Sequence, residues 1–173
     1  MNLDDIKRLR EMTSMGVSDC KKALAEAGGD FDKAFKLLKE RGAKIVEAKK
    51  DRRTSQGLIE AYIHFSGNLG AIVEVNCETD FVARTDNFKK FVKDLAVHVA
   101  AAGPKYLAKE NVPAEVLKTE ASAEDYLKAN CLLEQPFIKD ASLTIKDYLS
   151  NVTSQTGENV VIKRFVRFAL GDN

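Results

Sequence analysis

The sequence predicts an α+β protein: an N-terminal three-helix bundle followed by an α+β core, a small antiparallel sheet with helices on one face. Three observations predict it. Apolar residues recur at helical spacing up to about residue 50, then alternate from Gln56, then return to a helical stripe before a β-branched closing run at Val160–Phe168. Charge divides at the same place: residues 1–55 hold 14 basic and 10 acidic side chains, and residues 56–173 hold 13 and 16. The length, 173 residues, suits one domain plus a small appendage. The boundary falls near residue 54, giving a helical domain over 1–54 and an α+β core over 55–173.

In the first module Leu3, Ile6 and Leu9 share a helix face. Asn2 can cap, and Asp4 and Asp5 suit a positive helix N-terminus. The segment from Thr13 to Val17 turns the chain. Ser18 is expected to cap a second helix, with Cys20, Ala23, Leu24 and Ala27 on one stripe. Gly28-Gly29 ends it, and Asp30 caps a third helix carrying Phe31, Ala34, Phe35 and Leu38. Gly42 is expected to end or break that helix. Three helices of about ten residues cannot stand alone in water, so they must pack together. The pattern Met15-Gly16, Cys20, Ala23-Leu24, Gly29-Asp30, Ala34 and Leu38 resembles the ubiquitin-associated (UBA) fold. In that family the Met-Gly loop and last helix often form a binding face. Met15 and Val17 either close the core here or serve such a face.

From Gln56 the period becomes two. Ile59, Ala61, Ile63 and Phe65 alternate with Leu58, Glu60, Tyr62 and His64. A turn cluster over Ser66–Gly70 leads to Ala71, Val73, Val75 and Cys77 alternating with Ile72, Glu74 and Asn76. This is a β-hairpin with one buried face. A helix capped near Thr85-Asp86 carries Phe88, Phe91, Val92, Leu95 and Val99, and Gly103-Pro104 stops it. A short helix is expected near Ala123–Lys128. Thr144-Ile145-Lys146-Asp147 approximates a capping box. It opens a helix that buries Ile145, Tyr148, Leu149 and Val152 and ends at Gly157. Val160–Phe168 is the closing strand.

Composition narrows the function classes. The chain is 45% hydrophobic and 31% charged, with 10 Gly and 3 Pro, which excludes disordered, collagenous and rod-like chains. A net charge of +1 argues against a dedicated nucleic-acid binder. Lys44, Lys49, Lys50, Arg52 and Arg53 form a local basic cluster, either a solvated helix end or an edge that steers an acidic partner. Cys20, Cys77 and Cys131 are odd in number and lack a C-x-x-C pair, so neither a disulfide framework nor a zinc site is expected. The start has no apolar run of the signal-peptide kind, and no stretch is apolar enough to span a bilayer. A cytoplasmic setting is expected, and the sequon at Asn151-Val152-Thr153 is read as chance.

No enzyme constellation is found. The chain has no G-x-x-x-x-G-K-[ST] and no G-x-G-x-x-G after a strand. His64 and His98 lack metal-ligand spacing and read as structural, and the cysteines read as small core residues. No cofactor and no metal is expected. One segment resists the structural logic. Asn76–Arg84 joins the hairpin to the Phe88 helix, and Thr79 can cap a turn that lifts Asp80 and Phe81 onto its leading edge. Phe81 either folds under as a core anchor or protrudes as a wedge for a partner's pocket, where aromatic anchors dominate binding.

Leu9-Arg10-Glu11-Met12-Thr13 with Gly16-Val17-Ser18-Asp19-Cys20-Lys21-Lys22-Ala23-Leu24 resembles the N-terminal signature of translation elongation factor Ts. Glu74-Val75-Asn76-Cys77-Glu78-Thr79-Asp80-Phe81-Val82-Ala83-Arg84 resembles that family's second signature, built around Thr-Asp-Phe-Val. Glu134-Gln135-Pro136-Phe137, Gly157-Glu158-Asn159 and Arg164-Phe165 resemble its C-terminal blocks. The likeness runs in order along nearly the whole chain.

The resemblance implies a guanine-nucleotide exchange factor that binds elongation factor Tu·GDP and promotes GDP release, without bond-making chemistry. It implies that the bundle grips the partner through Arg10, Val17 and Ser18. Some members carry Met at the last two positions, so Val17 and Ser18 offer less apolar surface. It implies that Thr79, Asp80, Phe81 and Val82 form the exchange wedge, with Asp80 and Phe81 entering near the magnesium and phosphate site. Members commonly carry a longer helical stretch before the Glu-Gln-Pro-Phe block, which residues 113–130 bridge briefly here. Longer members hold two α+β cores and this chain has one, so a homodimer is expected through a sheet edge or the Val160–Phe168 strand. Direct contact with nucleic acid or membrane is not expected. The competing reading is a UBA-like binding module recognising ubiquitin or nascent chains, with the core as scaffold.

Overall fold

A computed structural model of the chain describes residues 2–13 and 15–172. Three helices open it: α1 (Leu3–Thr13), α2 (Val17–Glu26) and α3 (Phe31–Lys49). Ile6, Leu9, Met15, Cys20, Leu24 and Leu38 close a small core among them. Asn2 caps α1 through the Asp4 amide at 3.1 Å, and Asp30 caps α3 through the Lys33 amide at 3.0 Å.

Two expectations fail in this module. Ser18 does not cap α2. Gly16 holds the cap position in extended backbone without a side-chain bond, and Ser18 lies inside the helix. Gly42 does not end α3, which runs on to Lys49. Gly42 is instead buried where α3 crosses a later helix, its missing Cβ facing Ser150 at 4.0 Å. A Cβ would meet Ser150 only at ordinary contact distance, so packing does not demand glycine here and the helix simply carries the roughly 1 kcal/mol that glycine costs.

The core begins with β1 (Gln56–Ile63) and β2 (Leu69–Cys77) as an antiparallel hairpin. The chain returns at its end as β5 (Val161–Ala169), which pairs antiparallel with the other side of β2 and so sets the order β1-β2-β5. Between them lie α4 (Asp80–Ala83), α5 (Asp86–Ala102), α6 (Ala114–Thr119), α7 (Ala123–Asn130), a small β3–β4 hairpin (Pro136–Phe137 and Asp140–Thr144) and α8 (Ile145–Thr156). Short 3-10 turns occupy Lys109–Asn111 and Leu132–Glu134. The sequence signals at these ends hold. Thr85 caps α5, Thr144 and Asp147 form a reciprocal capping box on α8, and Gly103 and Gly157 close α5 and α8 in left-handed backbone.

One sheet face packs on α5. Ala71, Val73 and Val75 meet Phe88, Phe91 and Leu95, all essentially buried. The face that β1 offers to this core is the reverse of its apolar alternation. Leu58 pairs with Val75 and Tyr62 with Ala71, so Leu58 and Tyr62 point inward while Ile59 and Ile63 are 68% and 67% exposed. Register explains this, because side chains opposite each other share a face and β2 has only one buried set. Gly57 is the tight point of the hairpin: at φ 150° a Cβ would sit 2.2 Å from the Val75 carbonyl oxygen.

The bundle docks through α3 on α8. Lys39 pairs with Asp147 at 2.8 Å, and Asn151 Nδ2 donates to the Met12 carbonyl at 3.2 Å. Buried Asp94 accepts from Lys139 Nζ at 2.6 Å and from the Tyr148 hydroxyl at 3.0 Å, which fastens the β3–β4 turn to α5. Burial and the adjacent Asp94 charge push the Tyr148 hydroxyl well above its ordinary range.

Candidate partner-binding site

The segment after β2 makes a deliberate projection. Thr79 adopts extended backbone at the cap of α4, and its hydroxyl accepts from the Val82 amide at 3.4 Å. The helix that follows has four residues, too few to persist alone. It is anchored by Ala83, 5% exposed, while Phe81 stands 78% exposed on the same turn. Phe81 is thus no core anchor. Val82 is half-buried against the core and tethers the turn. Asp80 is partly exposed and pairs with Arg84 at 2.9 Å, one turn along. Both groups are open to solvent, so the pair adds little stability. It does fix the direction of the carboxylate beside Phe81. Arg84 closes the second signature, and its i,i+4 spacing from Asp80 is the sequence signal for this pair.

The base of the projection is tied down. Cys77 Sγ donates to the Thr79 carbonyl at 3.1 Å, and Thr79 Oγ1 donates to Glu158 Oε1 at 2.6 Å. Burial, and then the Glu158 charge, push the Cys77 thiol up to about 11. Burial raises Cys20 and Cys131 as well. Thiols so shifted stay protonated at neutral pH and are poor nucleophiles.

The second set of predicted residues lies on the bundle. Arg10 is exposed in the last turn of α1, and Val17 and Ser18 are exposed at the start of α2. Val17 is 43% exposed whereas Met15 is buried at 7%. Met15 therefore closes the core and Val17 is left on the surface. Among the described residues no hydrogen bond or ion pair joins this set to Thr79–Val82. They form two separate patches, one on each module. In the basic cluster, Lys50 pairs with Glu47 and Arg52 with Glu78, so part of that charge is spent internally.

The histidines serve structure. His98 is fully buried in α5, with Nδ1 accepting from the Ile138 amide at 3.4 Å and Nε2 facing the Gln135 side-chain oxygen at 3.0 Å. That pattern requires the neutral ring protonated on Nε2, and burial lowers its pKa. His64 meets Ser66 Oγ at 2.7 Å in the turn beyond β1. Among the described residues, no group of three or more His, Cys, Asp or Glu is placed to hold a metal ion. No helix among them is long and apolar enough to cross a membrane.

The family model described as "Elongation factor TS" matches residues 9–125 and 122–172. The two matches meet inside 113–130, the stretch read as shortened. The chain is similar to elongation factor Ts of Thermoanaerobacter sp. (strain X514), 45% identical over 190 residues, covering 96% of this chain and 93% of that protein. It is similar to elongation factor Ts of Carboxydothermus hydrogenoformans, 44% identical over 190 residues with 96% and 88% covered. It is also similar to elongation factor Ts of Thermotoga petrophila, 43% identical over 193 residues with 99% and 97% covered. These alignments are longer than the chain's 173 residues, so the relatives carry residues that it lacks.

Proposed function

The chain belongs to the elongation factor Ts family of translation elongation factors, and on that premise we propose that it binds elongation factor Tu·GDP and accelerates GDP release. The observation that carries the reading is Phe81, a large aromatic 78% exposed on a turn whose base is tied down. An aromatic held out at that exposure gains little within its own chain. Its energy is available to a partner's pocket. Asp80 stands next to it and brings a carboxylate toward the magnesium and phosphates, where the ion dominates local charge logic.

The mechanism is linkage. A protein that binds the nucleotide-free GTPase more tightly than the GDP form must weaken GDP binding by the same factor. No bond is made or broken. Thr79 and Val82 set the turn, and Asp80 and Phe81 enter the partner. Arg10, Val17 and Ser18 on the bundle grip its nucleotide-binding domain. Residues 1–54 then act as the grip and 55–173 as the core that carries the wedge and the dimer contact. The cytoplasm is the setting this reading implies.

The outer sheet face supports pairing of two copies. The register aligns Ala61, Ile72 and Val166 across the three strands, and Ile63, Gly70 and Phe168 beside them. Phe168 is 65% exposed. A solvated antiparallel face is ordinarily polar, whereas this one carries apolar side chains on all three strands, with the Glu74–Arg164 ion pair in the neighbouring Ile59 row. Two such faces packed about a two-fold axis would cover it.

The test is release of labelled GDP from elongation factor Tu with and without the protein. Acceleration at substoichiometric protein is expected. A release rate that does not respond to the protein overturns the exchange reading. Titration of ubiquitin against the full chain, where no binding is expected, separates the binding-module alternative.

A further inference from the structure

We propose that Glu158 is a positioning residue for exchange, its carboxylate holding the Thr79–Val82 turn at the angle that presents Phe81. The inference rests on the exchange reading above and adds a residue to it. The problem it answers is local. Pairing of β2 ends at Asn76 with β5 and at Cys77 with β1, so the amides of Glu78 and Thr79 lie beyond the last strand pair. Backbone donors left unpaired in a half-buried place are costly. Glu158 Oε2 accepts from both, at 3.1 Å and 3.0 Å. Its Oε1 accepts a hydrogen bond from the Thr79 hydroxyl at 2.6 Å. One carboxylate therefore fixes two successive peptide units and the rotamer of the residue that caps α4.

These are charge-assisted bonds, the stronger class, and they come from about eighty positions along the chain. The return contact is also made, since Glu78 Oε1 accepts from the Asn159 amide at 2.6 Å. α4 itself is weakly held at its start. Its own cap bond is long at 3.4 Å, it has four residues, and Phe81 contributes almost no burial. Val82 and Ala83 seat the turn on the core but do not fix the peptide units that lead into it. Glu158 fixes those from outside, without touching the partner-facing edge.

The test uses the full chain with three readings: the maximal GDP-release rate at saturating protein, the half-saturating concentration, and amide hydrogen exchange. Glu158→Ala should lower the maximal rate about tenfold, the scale of losing charge-assisted bonds, with half-saturation within about twofold because the bundle still grips. Amides of Glu78 and Thr79 should exchange faster while those of α5 keep their protection. Glu158→Gln should recover most of the lost rate, because its oxygen can accept both amides and its NH2 can donate to Thr79 Oγ1. A wild-type maximal rate in Glu158→Ala overturns the proposal. So does a loss that Glu158→Gln does not relieve and that comes with lost protection in α5, since that marks general destabilisation. If Glu158→Ala does not fold, Glu158→Asp is read instead. Its shorter side chain keeps the charge but cannot reach all three donors, and a wild-type rate there overturns the proposal equally. Phe81→Ala run in parallel separates the two levels. Full activity in Phe81→Ala removes the wedge itself, whereas a slow Phe81→Ala with a fast Glu158→Ala removes only the role of Glu158.

Discussion

Replacing Phe81 with Ala should leave the free protein nearly as stable as before and slow GDP release sharply. The side chain is 78% exposed, so about one-fifth of its burial energy is realised within its own chain. Full burial of a phenylalanine is worth about 1.5–3 kcal/mol, which leaves a cost to the free fold of roughly 0.3–0.7 kcal/mol. For a chain of this size that lowers the melting temperature by less than about 3 °C. The remaining part, about 1.2–2.3 kcal/mol, is gained only on docking. Where that gain falls on the transition state for GDP release, its loss slows exchange about 8- to 50-fold. Phe88→Ala is the internal comparison. Phe88 is fully buried, and its truncation should cost about 3–5 kcal/mol of stability. Thermal melts by circular dichroism and stopped-flow release of a fluorescent GDP measure the two quantities. The reasoning is refuted if Phe81→Ala melts as low as Phe88→Ala, or if it melts like wild type yet releases GDP at the wild-type rate.

His98 gives a pH signature. Burial lowers its folded pKa from 6.5, so the unfolded chain takes up the proton first as pH falls. Stability should be intact above about 6.5 and decline below it toward the folded value. Urea midpoints between pH 7.5 and 5 should show the slope, and His98→Gln should flatten it; an unchanged slope counts against a buried neutral ring. Val166→Asp on the outer sheet face should turn a dimer into a monomer by light scattering, and a wild type that is already monomeric at micromolar concentration while active removes the pairing proposal. Gly57→Ala should destabilise by about 1–3 kcal/mol, because its Cβ meets the Val75 carbonyl in strained backbone. Gly42→Ala should instead stabilise by about 0.5–1 kcal/mol, having ordinary contact distance to Ser150. Chemical denaturation distinguishes those two signs.

Most of the fold could be read from local chemistry. Asp30, Thr79, Thr85 and Thr144 cap where their side-chain oxygens and the following amides suggest, because a cap is a short-range bond. The failures involve information from distant residues. Apolar side chains occupy both faces of β1, so alternation alone cannot choose between Leu58 and Ile59; pairing with Val75 chooses. Gly42 reads as a stop until α8 is packed beside it. Met15 and Val17 read alike until the bundle closes over one of them. At the candidate site, a cap before an aromatic was visible in Thr79-Asp80-Phe81, but its exposure was not. Exposure depends on Ala83 anchoring the other side of the turn.

Asn159 is 3% exposed, and its side-chain amide donates to the carbonyls of Lys50 and Arg52 at 3.2 Å and 3.0 Å. The stretch connecting bundle to core is therefore latched and does not act as a free tether. A free tether would let the second contact search a volume after the first had formed, and its effective concentration would fall as that volume grew. On the exchange reading, a bundle gripping the GTPase would then present Phe81 at one location, as one end of a two-point gauge, and avidity would depend on whether the partner's two sites match its span.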